Sequence, residues 1–229
     1  MKWIFTDCFD TLLLRKYSPE TVKRRWAKDV SALLEYALSY QKVYEIRKIS
    51  ESVMPSYYSY RDLCEEMIRR ISSCISPAIS FANDLKDEMY RLELKNEIDG
   101  LQVNTEHFQL LKDSSMKKAV LSDMYCGEAF IWELLKAFEI DQYIDRVFVS
   151  CDCKAAKIDL NRSLYKKVLE ELQIEPQEAI MYDDMEMCCY CADQCQIQAV
   201  RVKKGLYNSK ANEYKTAQKT LKDIFDTNY

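Results

Sequence analysis

Apolar positions in this chain follow two rhythms, and the change between them divides it. Residues 2–7 form a short apolar run ending in an acidic residue, which predicts a buried strand with its chemistry at the C-terminal end. Helical spacing follows. Ser18-Pro19-Glu20 is a helix-start signal, with an N-cap hydroxyl and proline in the first turn, and Val22, Trp26, Val30, Leu33 and Leu34 recur behind it. Pro55 and Pro77 punctuate the region, and 60–71 and 83–94 predict further helices. Nothing between about 17 and 96 has the alternation of a strand, so this stretch is expected to be an all-helical insertion. From residue 98 onward strands and helices alternate. Strands are predicted at 118–122, 146–150, 179–182 and 198–202, and helices at 128–138, 160–172 and from after the fourth strand to about 194. A closing helix is expected at 209–225. Alternation of this kind predicts a doubly wound α/β fold with a parallel sheet, whose ligands sit beyond the C-terminal strand ends. The expected domains are a core of residues 1–16 and 97–229 and a helical insertion of residues 17–96.

Composition narrows the chemistry. Hydrophobic residues make up 48% and charged residues 31%, enough for one sizeable core in 229 residues. A net charge of −4 without a basic stripe argues against nucleic acid as a partner. No apolar run approaches a membrane span, and the start MKWIFTDCFD turns acidic too soon for a signal peptide, so a cytoplasmic protein is expected. Ten irregularly placed cysteines are then expected to be free thiols. With one histidine and three glycines, neither a multi-histidine metal site nor a glycine-rich phosphate loop can be built. Phosphate would have to be handled by carboxylates, a cation and a few side-chain donors.

The strand ends supply such groups. The first strand ends in Asp7, the second in Ser122-Asp123 and the fourth in Asp183-Asp184. In a parallel sheet these ends share one edge, where clustered carboxylates repel and raise one another's pKa. A divalent cation relieves that repulsion, and an all-oxygen ligand set suits Mg2+. An aspartate at one strand end is commonplace; their joint occurrence in this order carries the inference.

Four segments resemble the motifs of the haloacid dehalogenase superfamily. The run Phe5-Thr6-Asp7-Cys8-Phe9-Asp10-Thr11-Leu12-Leu13 is similar to its first motif, in a DxFDTLL form. Val120-Leu121-Ser122-Asp123-Met124-Tyr125 resembles the second, in an SDMY form, Lys157 matches the lysine of the third, and Ile180-Met181-Tyr182-Asp183-Asp184 resembles the acidic fourth. Lys157 is preferred to Lys154 because it stands just before 159–165, which looks like the usual approach to the following helix. The helical insertion sits where the family carries its cap. The resemblance implies a phosphohydrolase of a small phosphorylated molecule, with Asp7 attacking phosphorus to form an aspartyl-phosphate. It implies that Ser122 and Lys157, beside Asp123, bind the phosphoryl group, and that Asp7, the Phe9 carbonyl, Asp183 and Asp184 hold Mg2+.

The segments also depart from the pattern. Family phosphatases carry an aspartate two residues after the nucleophile as general acid; here that residue is Phe9, which cannot transfer a proton. Asp10 is adjacent, but consecutive side chains of an extended segment point to opposite sides. Weak activity is therefore expected, favouring acetyl phosphate or p-nitrophenyl phosphate over sugar phosphates. Tyr182 replaces the glycine that usually precedes the acidic pair, and Cys188 replaces a second aspartate. Two other readings stand beside the phosphatase. Dehalogenating relatives also lack the second aspartate, but they work without magnesium and use cap arginines. A phosphate-binding or regulatory module linked to glycosyltransferase systems would tolerate Phe9 as well. Cys188, Cys189, Cys191 and Cys195, with Cys151 and Cys153 upstream, suggest zinc, yet Cys188, Cys191 and Cys195 recur at helical spacing and fit a buried stripe. Tyr57, Tyr58 and Tyr60 are read as packing the cap, and His107, without a partner visible in sequence, is expected at the surface.

Overall fold

The computed structural model describes residues 2–75 and 82–203; the expected helix at 209–225 and Pro77 lie outside them. The chain opens with β1 (Trp3–Thr6) and a short β2 (Leu13–Arg15), then enters four helices, α1 (Pro19–Leu33), α2 (Tyr40–Val53), α3 (Tyr60–Cys74) and α4 (Ala82–Gly100). It returns through β3 (Leu101–Val103) and α5 (Thr105–Asp113) to β4 (Lys117–Ser122), α6 (Gly127–Ala137), β5 (Arg146–Val149) and α7 (Ser150–Cys153). The remaining elements are α8 (Ser163–Leu172), β6 (Ala179–Asp183), α9 (Glu186–Gln194) and β7 (Gln198–Arg201). The fold is a parallel α/β core with an inserted helical cap. Among the described residues no helix is long and apolar enough to cross a membrane.

The sheet order is β5-β4-β1-β6-β7, and every pairing in it is parallel. β1 is central, so its C-terminal end lies between those of β4 and β6. Side chains alternate across the sheet with the period of two that a strand imposes. Trp3, Phe5, Ala119, Leu121, Phe148 and Met181 face one layer, packed with Leu164, Tyr165 and Val168 of α8 and with Cys191 and Ala192 of α9. Ile4, Val120, Val147, Val149 and Ile180 face the other, with Phe130, Ile131 and Leu134 of α6. Cys191 is thus a core residue on the α9 stripe.

The cap is a helical layer with its own core around Trp26, Leu63, Met67, Ile71 and Met89, all fully buried. Ser18 caps α1 by accepting the Thr21 N–H, as the Ser-Pro-Glu signal predicts. Inside this core lies a charged pair: Arg47 donates to both Glu93 oxygens at 2.6 and 2.7 Å, with the Tyr125 hydroxyl against both partners. The expected domain boundary at 96/97 falls inside α4, which runs on to Gly100. Two features have no signal in the sequence pattern. β2 and β3 pair antiparallel where the chain leaves and re-enters the core, and each is only three residues long, too short for a visible alternation. Helix α5 is the other.

Candidate active site

The loop after β1 is tightly wound. Leu12 and Leu13 N–H groups both donate to the Cys8 carbonyl, Asp10 N–H donates to the Leu13 carbonyl, and Asp10 adopts φ 61°, a left-handed conformation that aspartate tolerates better than most residues. Asp7 follows directly on the Thr6–Tyr182 pair of β1 and β6, and its N–H donates to the Tyr182 carbonyl at 2.9 Å. That register brings Asp7 level with Asp183, the last residue of β6. One oxygen each of Asp7, Asp183 and Asp184 lies within 4.8 Å of the others, and all three residues are buried.

Lys157 lies among these carboxylates. Its Nζ donates to Asp7 Oδ1 at 2.6 Å and to Asp183 Oδ2 at 2.8 Å, with 3% of the residue exposed. Asp123 holds the lysine's backbone, accepting the Lys157 N–H with its two oxygens at 3.1 and 3.2 Å. Asp183 spends its other oxygen on the Met185 N–H at 2.8 Å, and the Asp184 N–H donates to the Thr11 hydroxyl at 3.0 Å. Ser122 closes β4, the strand beside β1, and is buried. Asp7, Asp183, Asp184 and Lys157 therefore meet directly; Ser122 stands one strand away, and Asp123 reaches the group through the Lys157 backbone. Phe9 packs its ring beneath the Arg15 guanidinium at 4.2 Å. Lys154 is exposed and donates to the Tyr57 carbonyl of the cap at 2.9 Å, leaving Lys157 as the lysine of the cluster.

The electrostatics follow from burial and proximity. Desolvation pushes the Asp7 carboxyl up to about 7; Lys157 opposes the rise, and Asp183 and Asp184 add to it. Burial works against the Lys157 charge, but Asp7 and Asp183 outweigh it and hold the ammonium well above the usual lysine range. Such a carboxylate cluster with hard oxygen donors fits a divalent cation of the Mg2+ type. Asp7, Asp183 and Asp184 are the residues that would hold it.

His107 corrects the surface expectation: it is 5% exposed, and its Nε2 lies 2.8 Å from Thr6 Oγ1. Since that hydroxyl donates to the Asp7 carbonyl at 2.9 Å, His107 Nε2–H is the donor, and the imidazole braces the strand end next to Asp7. Burial lowers its pKa to about 4. Of the tyrosines, Tyr60 is buried and stacked with Tyr125, and Tyr58 also stacks on Tyr125. Tyr57 instead reaches out of the cap to donate to Asp159 at 3.1 Å.

Glu97 is a further residue that sequence reasoning misses. It is 5% exposed on α4, and burial, with Arg15 opposing and Glu93 assisting, raises its carboxyl to about 7. Its signal is the four-residue spacing Leu85, Met89, Glu93, Glu97, an apolar stripe that turns acidic without leaving the buried face.

The profile of the haloacid dehalogenase-like hydrolases matches residues 31–202. A 2-haloacid dehalogenase from Pseudomonas syringae pv. tomato shares the fold with a TM-score of 0.66 at 16% identity, over 88% of this chain and 86% of that one. A HAD-family enzyme from Bacteroides thetaiotaomicron, solved with magnesium and inorganic phosphate, does so with a TM-score of 0.56 at 16% identity, over 90% and 96%. At these identities the likeness is one of fold. No curated protein matches the chain. The matched range covers Ser122, Lys157 and the acidic pair but begins after Asp7, whose place rests on the strand register and on its contacts.

Proposed function

Because this chain belongs to the haloacid dehalogenase-like hydrolase family, we propose that it is a magnesium-dependent phosphohydrolase acting on a small phosphorylated metabolite through an aspartyl-phosphate at Asp7. The observation that carries this reading is the meeting of Asp7, Asp183 and Asp184 within 4.8 Å around a single lysine. Such a site is built to hold a cation and an anion together, and phosphoryl transfer needs positioning and charge neutralisation above all. Asp7 Oδ attacks phosphorus in line with the leaving oxygen. Lys157 holds a phosphoryl oxygen with its ammonium, kept charged by the same carboxylates, and the Ser122 hydroxyl takes a second. Asp123 keeps Lys157 in place through its backbone. When bound, Mg2+ supplies charge neutralisation between the Asp7 carboxylate and the incoming anion, which lets the two approach.

Dehalogenation is the second reading, and Phe9 favours it, since a halide leaves without a proton. Against it, Arg47, the fully buried cap arginine, is already neutralised by Glu93 and poorly placed to receive a substrate carboxylate.

The test is hydrolysis of acetyl phosphate and p-nitrophenyl phosphate with and without Mg2+, beside chloride release from 2-chloropropionate. Asp7→Asn should abolish phosphate release and leave the fold intact, because an amide is not a useful nucleophile. Residual activity within tenfold of wild type removes Asp7 from the mechanism, and chloride release without phosphate release selects the second reading.

A further inference from the structure

A phosphomonoester with an ordinary alcohol leaving group needs a proton donor, and Phe9 occupies the position two residues after the nucleophile. We propose that Glu97, reaching down from the last turns of the cap helix α4, is that donor. The inference deepens the phosphohydrolase reading and rests on it.

Other acids near the site are engaged. Both Asp10 oxygens are taken by Arg15, through its N–H at 3.2 Å and its Nη1 at 3.4 Å. Asp123 spends both oxygens on Lys157, and Glu93 is locked to Arg47 and Tyr125. Glu97 differs: its Oε2 is fully buried with no hydrogen-bond partner among the described residues. An orphaned buried oxygen is costly, and that cost persists most readily where a ligand supplies the partner.

Its position suits the role. Glu93, one turn earlier on the same face of α4, accepts from the Tyr125 hydroxyl at 2.9 Å, which fixes that face over the loop following β4. Downstream, Gly100 at the end of α4 accepts the Lys16 N–H at 2.7 Å, next to β2. Glu97 lies between these anchors, and its charge is felt by Cys8, next to the nucleophile, and by Tyr125 and Cys126 after β4. Its neighbours in this sense flank the strand ends: Cys8 follows Asp7, and Tyr125 and Cys126 follow β4.

Its neighbours keep a proton available near neutral pH. Arg15 of β2, Arg47 of α2 and Lys23 of α1 draw the carboxyl toward ionisation, while Glu93 on its own helix and burial hold it back. Arg15 is shared with Asp10, Lys23 with Glu51, and Arg47 with Glu51 and Glu93, so their pull on Glu97 is diluted. In the reaction, the bond from Asp7 Oδ to phosphorus forms as the bond to the leaving oxygen breaks, and the Glu97 proton passes to that oxygen. The resulting carboxylate then takes a proton from the water that hydrolyses the aspartyl-phosphate, which restores both residues.

Phenyl phosphate and p-nitrophenyl phosphate test this, since they are similar in shape but phenolate is much the poorer leaving group. Glu97→Gln should slow phenyl phosphate by about 10²–10⁴-fold and p-nitrophenyl phosphate by less than tenfold. In wild type, kcat/KM for phenyl phosphate should fall as pH rises past neutrality, and that limb should be missing with p-nitrophenyl phosphate. Equal slowing of both esters, or of neither, overturns the assignment, as does an identical pH profile for the two in wild type. The wild-type profiles need no variant to fold. Loss of p-nitrophenyl phosphate hydrolysis in Asp7→Asn shows separately that the underlying reading holds.

Discussion

Lys157→Met keeps the length of the side chain and removes the ammonium that lies 2.6 Å from Asp7 and 2.8 Å from Asp183. At an effective dielectric constant of about 20, each of these attractions is worth about 6 kcal/mol. The three carboxylates work the other way: with oxygens no more than 4.8 Å apart, each pair repels by at least about 3.5 kcal/mol, about 10 kcal/mol together. The lysine thus roughly cancels the repulsion. Asp7, raised to about 7, already carries about half a proton in wild type; without the lysine the site must take up a further one, and placing it on a carboxyl of ordinary pKa 3.8 costs about 4 kcal/mol at pH 7. That agrees with the ~3–5 kcal/mol lost when one partner of a buried ion pair is removed. Urea unfolding of the metal-free variant at pH 7 should therefore show a loss of about 4 kcal/mol. The proton cost falls by about 1.4 kcal/mol per pH unit, so at pH 5 the loss should shrink to about 1.5 kcal/mol. The sign follows because the variant's folded state binds protons more tightly than its unfolded state, a stability present at low pH and lost as pH rises. Mg2+ should restore more stability to the variant than to wild type, since it replaces the missing charge. An equal loss at pH 5 and pH 7 would show that Lys157 acts through its packing and not its charge, and would refute the reasoning.

If Asp183 is a ligand, Mg2+ at ~100 times its dissociation constant adds roughly 2.7 kcal/mol to wild type, and Asp183→Asn loses most of that gain. Calorimetry that detects no Mg2+ binding at millimolar concentration would end the metal assignment. His107, with its pKa lowered from 6.5 to about 4, stays neutral in the folded protein while the unfolded chain takes a proton. Its contribution is fully present above pH 6.5 and is lost as pH falls toward 4, by up to about 3 kcal/mol. His107→Gln should flatten that part of the stability profile, and denaturation midpoints at pH 7 and pH 4.5 for both proteins check it.

Much of the core is legible in the order of residues alone, because its elements are periodic or capped by short-range signals. Ser18 caps α1, the apolar runs at β1, β4, β5, β6 and β7 appear as strands, and the acidic residues at their ends fall at one edge because the sheet is parallel. The three-residue strands β2 and β3 carry no such signal, since each exists only through pairing with a partner some ninety residues away. His107 and Glu97 are hidden for a related reason. A single polar residue carries no periodic signal of its own burial, and only the packed fold sets the histidine against Thr6 and buries the glutamate where its charge acts on Cys8.

Legible in the residue order alone were therefore the fold class, the order of strands and helices, and the strand-end carboxylates and the lysine that the fold gathers into one buried cluster. The tertiary structure decided the rest. It brought Lys157 between two aspartates, tied Asp10 to Arg15 and Arg47 to Glu93, and left one Glu97 oxygen unpaired. Pairing and desolvation depend on which groups of distant segments come within a few ångströms, and these fix the charge each group carries.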